Sequence, residues 1–423
     1  MSSMNITKSK FMEYIRCNRY PALNNIHKRK KMDEALEDRY HDLLNTLENV
    51  TDDVFEEDFL EPDLSHLETM MPYLTQHFGN PSSIYSYGRE SRLAIENARK
   101  SVAKILNAHP SEIFFTSGGT ESDNMAIWSA IEDLGCRHII TSPIEHHAVL
   151  HTVNALAKQR QLSTELLRIL PDGHIDLADL ERALASSSTR CLVSLMHANN
   201  EIGNLLDIEA VGALCEKYDA IFHSDTVQTV GHYPLNLSKS KVHFATGAAH
   251  KFHGPKGVGI LFIAEHVKVN PLIHGGGQER NMRAGTENVS GIVGFAKALE
   301  LAASNLQHDQ THIQSLKTYL ATQLQAQVPG VQFNGDWNGA CLYTVLNVSF
   351  PRTPQSEMLL MSLDMQGICV SAGSACSSGA NQGSHVIQAL PKGNEGVPIR
   401  FSFSKFNTKE EVDLLLVKLK QLL

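Results

Sequence analysis

Six short apolar runs, separated by segments of helical length, lie between residues 113 and 263 and limit the possible folds of this chain. They are IFFT, HIITS, CLVSLMH, AIFHSD, HFATG and GILFI. Strands that alternate with helices form mostly parallel sheets with helices on both faces. Ligands of such sheets bind outside the carboxyl ends of the strands. The sequence therefore predicts an α/β fold whose functional residues lie at those ends.

A lysine and an aspartate stand at two of these positions. Lys251 follows the HFATG run among small residues and histidines, and Asp225 ends the AIFHSD run 26 positions earlier. A lone lysine in a glycine-rich loop is usually a solvated surface residue. Burial among apolar groups, however, lowers the pKa of an ammonium, and a neutral lysine can form an imine. A lysine for an aldehyde and a carboxylate for a ring nitrogen are what pyridoxal phosphate requires, so the pair predicts this cofactor.

A third strand end is suited to phosphate. The IFFT run leads into the turn SGGT, residues 117–120, before a helical segment. Such a turn alone is more often an ordinary helix cap. Next to an aspartate and a lysine of this kind, the backbone N–H groups at the helix start and the Thr120 hydroxyl predict a phosphate-binding turn.

Eight sequence blocks resemble the cysteine desulfurases, which are fold type I pyridoxal phosphate enzymes of the class V aminotransferase family. The blocks are TSGGTESDN, EHHAV, HANNEIG, HSDTVQTVG, AAHKFHGPKGVG, GGGQERNMRAGTEN, SAGSACSSG and IRFSFSKFNT. They occur in the order of the family and at close to its spacing, from about residue 70 to the C-terminus. The SACSSG block is similar to that of group I, the NifS- and IscS-like subgroup.

The resemblance implies a role for each matching residue. The catalytic residues would be Cys376, Lys251 and His146, with His146 stacked on the pyridine ring. The cofactor would contact Gly119, Thr120, His146, Asn200, Asp225, Gln228, His250, Lys251 and Thr286. Asn200 and Arg400 would bind the substrate, because the guanidinium of Arg400 can hold the α-carboxylate of L-cysteine with two hydrogen bonds. Thr286 would reach the cofactor of the neighbouring subunit, which implies a homodimer.

The implied reaction converts L-cysteine to L-alanine and leaves a persulfide on Cys376, which lies in a flexible polar segment. An exposed, mobile thiol suits this role, whereas Cys369, in an apolar run, has the pattern of a buried, inert cysteine. Cys376 would then pass sulfur to an acceptor such as an iron–sulfur scaffold, a tRNA-thiolation carrier or a DNA-modification partner. A transient iron–sulfur contact of Cys376 is the one metal interaction expected.

Two departures from the family pattern leave alternatives open. The family's N-terminal Asp-Asn-Ala-Thr-Thr-like motif is replaced by VTDDVFEEDFLEPD, and Ala248 stands where many relatives have a serine that contacts phosphate. The lost hydroxyl contact is worth about 1 kcal/mol. Selenocysteine lyase and aminotransferase are therefore kept as alternatives, together with a binding or scaffold protein of impaired activity. The reactive-cysteine block disfavours an aminotransferase.

Composition limits the remaining possibilities. The net charge of −9 argues against a surface for direct nucleic-acid binding, and no apolar run is long enough for a membrane helix. Seven cysteines without a CxxC pair predict neither a disulfide framework nor a zinc site, so a cytoplasmic location is expected. Three parts are predicted: a charged helical extension (1–66), a large cofactor-binding domain (67–305) and a small α+β domain that carries the Cys376 segment (306–423).

Overall fold

Strands and helices alternate along most of the chain in a computed structural model that describes residues 53–54, 64–373, 383–391 and 395–423. The strands are β1 Asp53–Val54, β2 Ile113–Thr116, β3 His138–Thr141, β4 Ser163–Leu166, β5 Cys191–Ser194, β6 Ile221–Asp225, β7 Phe244–Ala248, β8 Gly259–Ile263, β9 Gln332–Phe333, β10 Val345–Pro351, β11 Ile368–Cys369 and β12 Gly396–Ser402. The helices are α1 Leu64–Thr75, α2 Ser86–Ile105, α3 Gly119–Glu132, α4 His147–Arg160, α5 Leu177–Ser186, α6 Ile208–Lys217, α7 Val289–Gln327, α8 Pro354–Glu357, α9 Leu359–Asp364, α10 His385–Ala389 and α11 Lys409–Leu422.

Seven of the strands form one sheet in the order β2-β8-β7-β6-β5-β3-β4. Only β8 runs against its neighbours, so the sheet is mostly parallel as predicted. All six predicted apolar runs form strands, and five of those strands, all except β3, are buried along their whole length. The sequence analysis did not predict β4, a largely exposed edge strand of sequence STEL. Its polar side chains give no apolar pattern because β4 pairs on one side only, with β3.

Two main hydrophobic clusters form the core, and the long helix α7 contributes to both. Phe295 and Leu299 belong to the cluster around the large sheet, whereas Leu316 and Leu320 belong to a second cluster with strands β10 and β12. Strands β12, β10 and β9 form an antiparallel sheet next to this second cluster. We propose that the division between the large and small domains falls within α7, where its buried residues change cluster.

The N-terminal part of the chain is described at Asp53 and Val54 and again from Leu64. β1 pairs in parallel with β11 of the C-terminal part. Helix α1 spans the predicted boundary at residue 66. The predicted helices within residues 1–52 lie outside the described residues. Among the helices of the described ranges, none is long and apolar enough to cross a membrane.

A buried ion pair fixes the glycine-rich loop 274–288 against the large sheet. The carboxylate of Glu279 accepts two hydrogen bonds from the guanidinium of Arg99, both of 2.8 Å, and one from the backbone N–H of Phe115. Glu279, Arg280 and Asn281 all have left-handed backbone angles, with φ of 43°, 58° and 66°. Such angles are unfavourable for residues other than glycine, so the surrounding contacts hold this loop in shape.

Candidate active site

The predicted phosphate turn joins strand β2 to helix α3. Gly118 has φ 154° and precedes the first residue of the helix, Gly119. A Cβ atom on Gly119 would lie 2.7 Å from Cγ2 of Val227, so only glycine fits here without a shift. The close approach puts the N-terminus of α3 beside the loop that follows Asp225. Because this helix end offers free backbone N–H groups, the turn forms a cradle suited to an anion.

Asp225 ends strand β6 and is buried beside the same cradle. Its Oδ1 accepts hydrogen bonds from the backbone N–H of Val227 at 2.9 Å and the hydroxyl of Thr246 at 3.4 Å. Burial raises the pKa of Asp225 to about 6, and the nearby carboxylate of Asp123 adds to this increase. His146 lowers the same pKa. A buried carboxylate of this kind is suited to a cationic partner such as a protonated ring nitrogen.

Asp123, on helix α3, is a site residue that the sequence analysis missed. It is 1 % exposed, and burial raises its pKa to about 7. Its Oδ1 lies 3.4 Å from Nε2 of His223, whose other ring nitrogen is 2.9 Å from the Ser194 hydroxyl. Ligand atoms of Asp123, His146 and Asp225 all lie within 4.8 Å of one another. The signal was present in the TESDN block, as an acid one helical turn after the phosphate turn.

His146 is the N-cap residue of helix α4. Its Nδ1 accepts a hydrogen bond of 3.1 Å from the backbone N–H of Ala148, so a neutral ring carries its proton on Nε2. The ring is half-buried at the carboxyl edge of the sheet, and its charge acts on Asp225. These positions place His146 beside Asp225.

Glu145, next to His146, is fully buried and was also missed. Its Oε1 accepts a hydrogen bond of 2.7 Å from Ser142, and Oε2 accepts one of 2.9 Å from the backbone N–H of Met196. Burial nevertheless raises the pKa of Glu145 to about 8. The side chain joins the start of helix α4 to the chain after strand β5, and so supports the position of His146.

Glu145→Gln is expected to remove part of the pH dependence of stability. In the folded protein the pKa of Glu145 is about 8, above the ordinary value of 4.5. The stability that protonated Glu145 contributes is therefore complete below about pH 4.5, and it is lost as pH rises towards 8. Between these limits the wild-type free energy of unfolding loses up to about 1.4 kcal/mol per pH unit through this group. Glutamine stays neutral, so the thermal midpoint of the variant should rise relative to that of the wild type as pH increases.

Other buried carboxylates contribute to the same pH dependence. The quantity to measure is therefore the difference in thermal midpoint between Glu145→Gln and the wild type at each pH. Glu68→Gln, at an exposed position of helix α1, is the matched control and should follow the wild type at every pH. If plots of thermal midpoint against pH were parallel for Glu145→Gln and the wild type, the assignment of a buried, protonated Glu145 would be contradicted.

Lys251 lies in the short 3₁₀ segment Ala249–Phe252 between strands β7 and β8. Nε2 of His232 donates a hydrogen bond of 2.7 Å to the backbone carbonyl of Lys251, and Nδ1 of His232 lies 2.8 Å from the hydroxyl of Tyr343. His232 therefore fixes the lysine segment against a residue of the second hydrophobic cluster. His250 is half-buried in the same segment, whereas Ala248, in place of the family's serine, is fully buried and has no hydroxyl to offer.

The predicted substrate-binding residues, Asn200 and Arg400, contact each other. Arg400, on strand β12, is 2 % exposed and donates a hydrogen bond of 3.0 Å to the backbone carbonyl of Asn200. The next residue, Glu201, is fully buried and accepts a hydrogen bond from the Ser384 hydroxyl. Glu201, too, was not predicted from the sequence, because a glutamate in a loop usually faces solvent.

The four remaining predicted residues differ in their surroundings. Thr120 is exposed in the first turn of helix α3. Gln228 is buried three positions after Asp225, in the loop that contacts the phosphate turn. Thr286 is exposed on the loop 274–288. Cys376 lies outside the described residues, which stop at Gly373 and resume at Gly383.

Sequence and structure comparisons give the same family. The sequence model of the Aminotransferase class-V family matches residues 63–415. "Cysteine desulfurase IscS" of Dictyoglomus turgidum is 43% identical over 84% of this chain and 90% of its own length. The solved structure of a "NifS-like protein" is 38% identical, with a TM-score of 0.80 over 87% of this chain and 98% of its own. A structure described as "SspA in complex with cysteine" is 29% identical, with a TM-score of 0.72 over 84% of this chain and 99% of its own.

The chain therefore belongs to the class V aminotransferase family and, within it, to the pyridoxal phosphate-dependent cysteine desulfurases. The predictions of family, α/β fold type I, enzyme class and cofactor are confirmed. The geometry fits the cofactor in two respects. A Cβ on Gly119 would clash with Val227 beside the anion cradle, and Asp225 is a buried carboxylate suited to a ring cation. When bound, pyridoxal phosphate supplies an electron sink for the carbon atoms of the substrate.

Proposed function

We propose that the enzyme removes sulfur from L-cysteine, releases L-alanine and holds the sulfur as a persulfide on Cys376. Lys251 is the residue that binds the cofactor covalently, and Asp225 holds the cofactor ring nitrogen in its charged form. Gly119, Thr120 and His250 contact the phosphate, while Asn200 and Gln228 donate to the ring oxygen. The observation that carries the role of Cys376 is the position of the residues on either side of its segment.

Described residues on either side of the segment 374–382, Gly373 and Ser384, lie beside the same buried side chain, Glu201. A Cβ on Gly373 would lie 3.2 Å from Cβ of Ser384 and 3.6 Å from Oε2 of Glu201, and the Ser384 hydroxyl donates to that carboxylate. Cys376 is three residues from Gly373, a chain length of at most about 11 Å. Glu201 follows Asn200, which contacts Arg400. Chain length therefore supports a thiol that can reach a substrate held between Asn200 and Arg400.

Other residues of the chain bind the substrate, transfer protons and accept the sulfur. Arg400 binds the α-carboxylate of the substrate and orients the amino acid, because a guanidinium matches a carboxylate in geometry and charge. Lys251 and His146 move the proton at the substrate Cα, and the Nδ1 contact of His146 with Ala148 keeps the proton of a neutral ring on Nε2. The thiolate of Cys376 accepts the substrate sulfur.

The proposal includes a homodimer in which Thr286 reaches the phosphate in the neighbouring subunit, because Thr286 is exposed on a loop that its own chain holds in shape. It also includes delivery of sulfur to an iron–sulfur scaffold or a thiolation carrier, with Cys376 as a transient iron–sulfur ligand. A cytoplasmic location fits because Cys136, Cys191, Cys215, Cys341 and Cys369 are all free thiols.

The first test is the release of sulfide and alanine from L-cysteine in the presence of dithiothreitol, by purified enzyme that shows the visible absorbance band of bound cofactor. Equal amounts of the two products are expected, because every sulfur removed leaves one alanine. A band without either product would overturn the proposal in favour of a binding or scaffold protein. Selenide release from selenocysteine without sulfide release from cysteine would favour a selenocysteine lyase.

A further inference from the structure

Helix α7 carries a fully buried lysine that contacts a cysteine. Neither of these two residues is close in sequence to the proposed catalytic residues. Lys317 is 0 % exposed, and its Nζ lies 3.0 Å from Sγ of Cys341 and 2.7 Å from the backbone carbonyl of Leu342. Cys341 is half-buried, and its thiol also contacts the backbone carbonyl of Trp337 at 3.1 Å. An amine and a thiol thus lie at contact distance, and the residue that carries the thiol is partly exposed.

The surroundings favour a reactive pair. Burial lowers the pKa of Lys317, while Cys341 and Asp336 act in the opposite direction. The other titratable groups nearby are the phenols of Tyr233 and Tyr343, and burial raises the pKa of both. The hydroxyl of Tyr233 donates a hydrogen bond of 3.0 Å to the backbone carbonyl of Cys341. A lysine that loses its proton more readily is a better nucleophile.

We propose that Lys317 and Cys341 form a redox-sensitive pair, in which oxidation of the thiol by a peroxide leads to a covalent sulfur–nitrogen bond between the two side chains. In the first step the thiolate attacks the peroxide, the O–O bond breaks, and the departing hydroxide takes a proton from the Lys317 ammonium, so that a sulfenic acid, water and a neutral amine result. In the second step the neutral amine attacks the oxidised sulfur, hydroxide leaves and takes up the amine proton, and a sulfenamide and water result. The sulfur loses two electrons and the peroxide gains them.

Three other cysteines provide an internal comparison. Cys136, Cys191 and Cys215 are buried in the core around the large sheet. Burial raises the pKa of all three thiols, to about 12 for Cys136. Because the thiolate is the form that reacts with peroxide, these residues should stay reduced when Cys341 is oxidised.

A bond between Lys317 and Cys341 would tie helix α7 to the chain beside the active site. Cys341 forms a β-bridge with Asn204, and the backbone N–H of Leu342 donates a hydrogen bond of 2.7 Å to Gly203. Gly203 and Asn204 belong to the segment that also carries Asn200. Oxidation of Cys341 would thus restrain the segment that carries Asn200, although Cys341 itself is distant from Cys376 along the chain.

The test is mass spectrometry of the holoenzyme after treatment with hydrogen peroxide. The expected product is lighter than the reduced protein by about 2 Da, and its digest contains a cross-linked peptide with Lys317 and Cys341. Dithiothreitol should restore the original mass, because a thiol reduces a sulfenamide. Lys317→Arg is the matched control: it keeps the positive charge but cannot form the bond, and it should give no cross-linked peptide.

A disulfide between Cys341 and Cys376 would cause the same loss of mass, so the experiment is repeated with Cys376→Ala, in which the cross-linked peptide should persist. Three results would overturn the proposal: an unmodified Cys341, a Cys341 that is only oxidised to sulfinic acid, or a cross-link to a second cysteine. The wild-type digest decides among these outcomes even if a Lys317 variant fails to fold.

Discussion

Replacement of Cys376 by alanine is expected to lower sulfide release from L-cysteine by roughly a thousand-fold or more, because removal of a catalytic nucleophile leaves only the residual effects of binding. Cofactor content should stay at the wild-type level. The cradle at Gly119, the carboxylate of Asp225 and the segment of Lys251 all belong to other parts of the chain. The measurement is sulfide release per cofactor, with the visible band recorded on the same sample.

Cys369→Ala is the matched control for this variant. Cys369 lies on strand β11, where it pairs with Val54, and it is half-buried. Its replacement should leave sulfide release within about twofold of the wild type, since it removes a small side chain from strand β11 and leaves the sequence of the segment 374–382 unchanged. Persistent sulfide release by Cys376→Ala would show that another group accepts the sulfur, and the proposed persulfide would then have to be abandoned.

Lys251→Ala is expected to abolish the covalent attachment of the cofactor and to reduce turnover by a factor of roughly a thousand or more. Its amine is the only group proposed here to form the imine and also takes part in proton transfer. The measurement is reduction of the holoenzyme with borohydride followed by peptide mapping. In the wild type the label should appear on Lys251, and in the variant the covalently attached cofactor should be missing.

Lys256→Ala, five positions later in the same glycine-rich stretch, is the matched control. Lys256 is exposed, so its variant should keep both the borohydride-stable label and sulfide release. The proposed site would be refuted if the label appeared on Lys256 or if Lys251→Ala retained wild-type turnover.

Much of the large sheet could be predicted because its strands are buried on both faces. Runs such as IFFT and GILFI are apolar throughout, and the structure forms them as the fully buried strands β2 and β8. Strand β4 has the polar sequence STEL and pairs on one side only, so the same criterion missed it. β9 was missed for a related reason: its two residues, Gln332 and Phe333, are too few to show any period.

The site was predictable where function depends on a strand end, as for Asp225, and where a block resembled the family. Asp123, Glu145 and Glu201 could not be found in this way. Each is at most 1 % exposed, whereas acidic residues in helices and loops are usually solvated. Their burial depends on neighbours distant in sequence, such as His223 for Asp123 and Ser384 for Glu201. These contacts exist only once the fold brings the segments together.

The ion pair between Arg99 and Glu279 has a consequence for assembly. Arg280 donates a hydrogen bond of 2.6 Å to the backbone carbonyl of Ile113, and Arg283 donates one of 2.8 Å to Glu121, so the loop 274–288 is fastened to its own subunit at three places. A loop that is already ordered in the single subunit loses little conformational entropy when a second copy binds. In the proposed homodimer, the two subunits would therefore associate as nearly rigid bodies, with Thr286 already in place for the partner before the two meet.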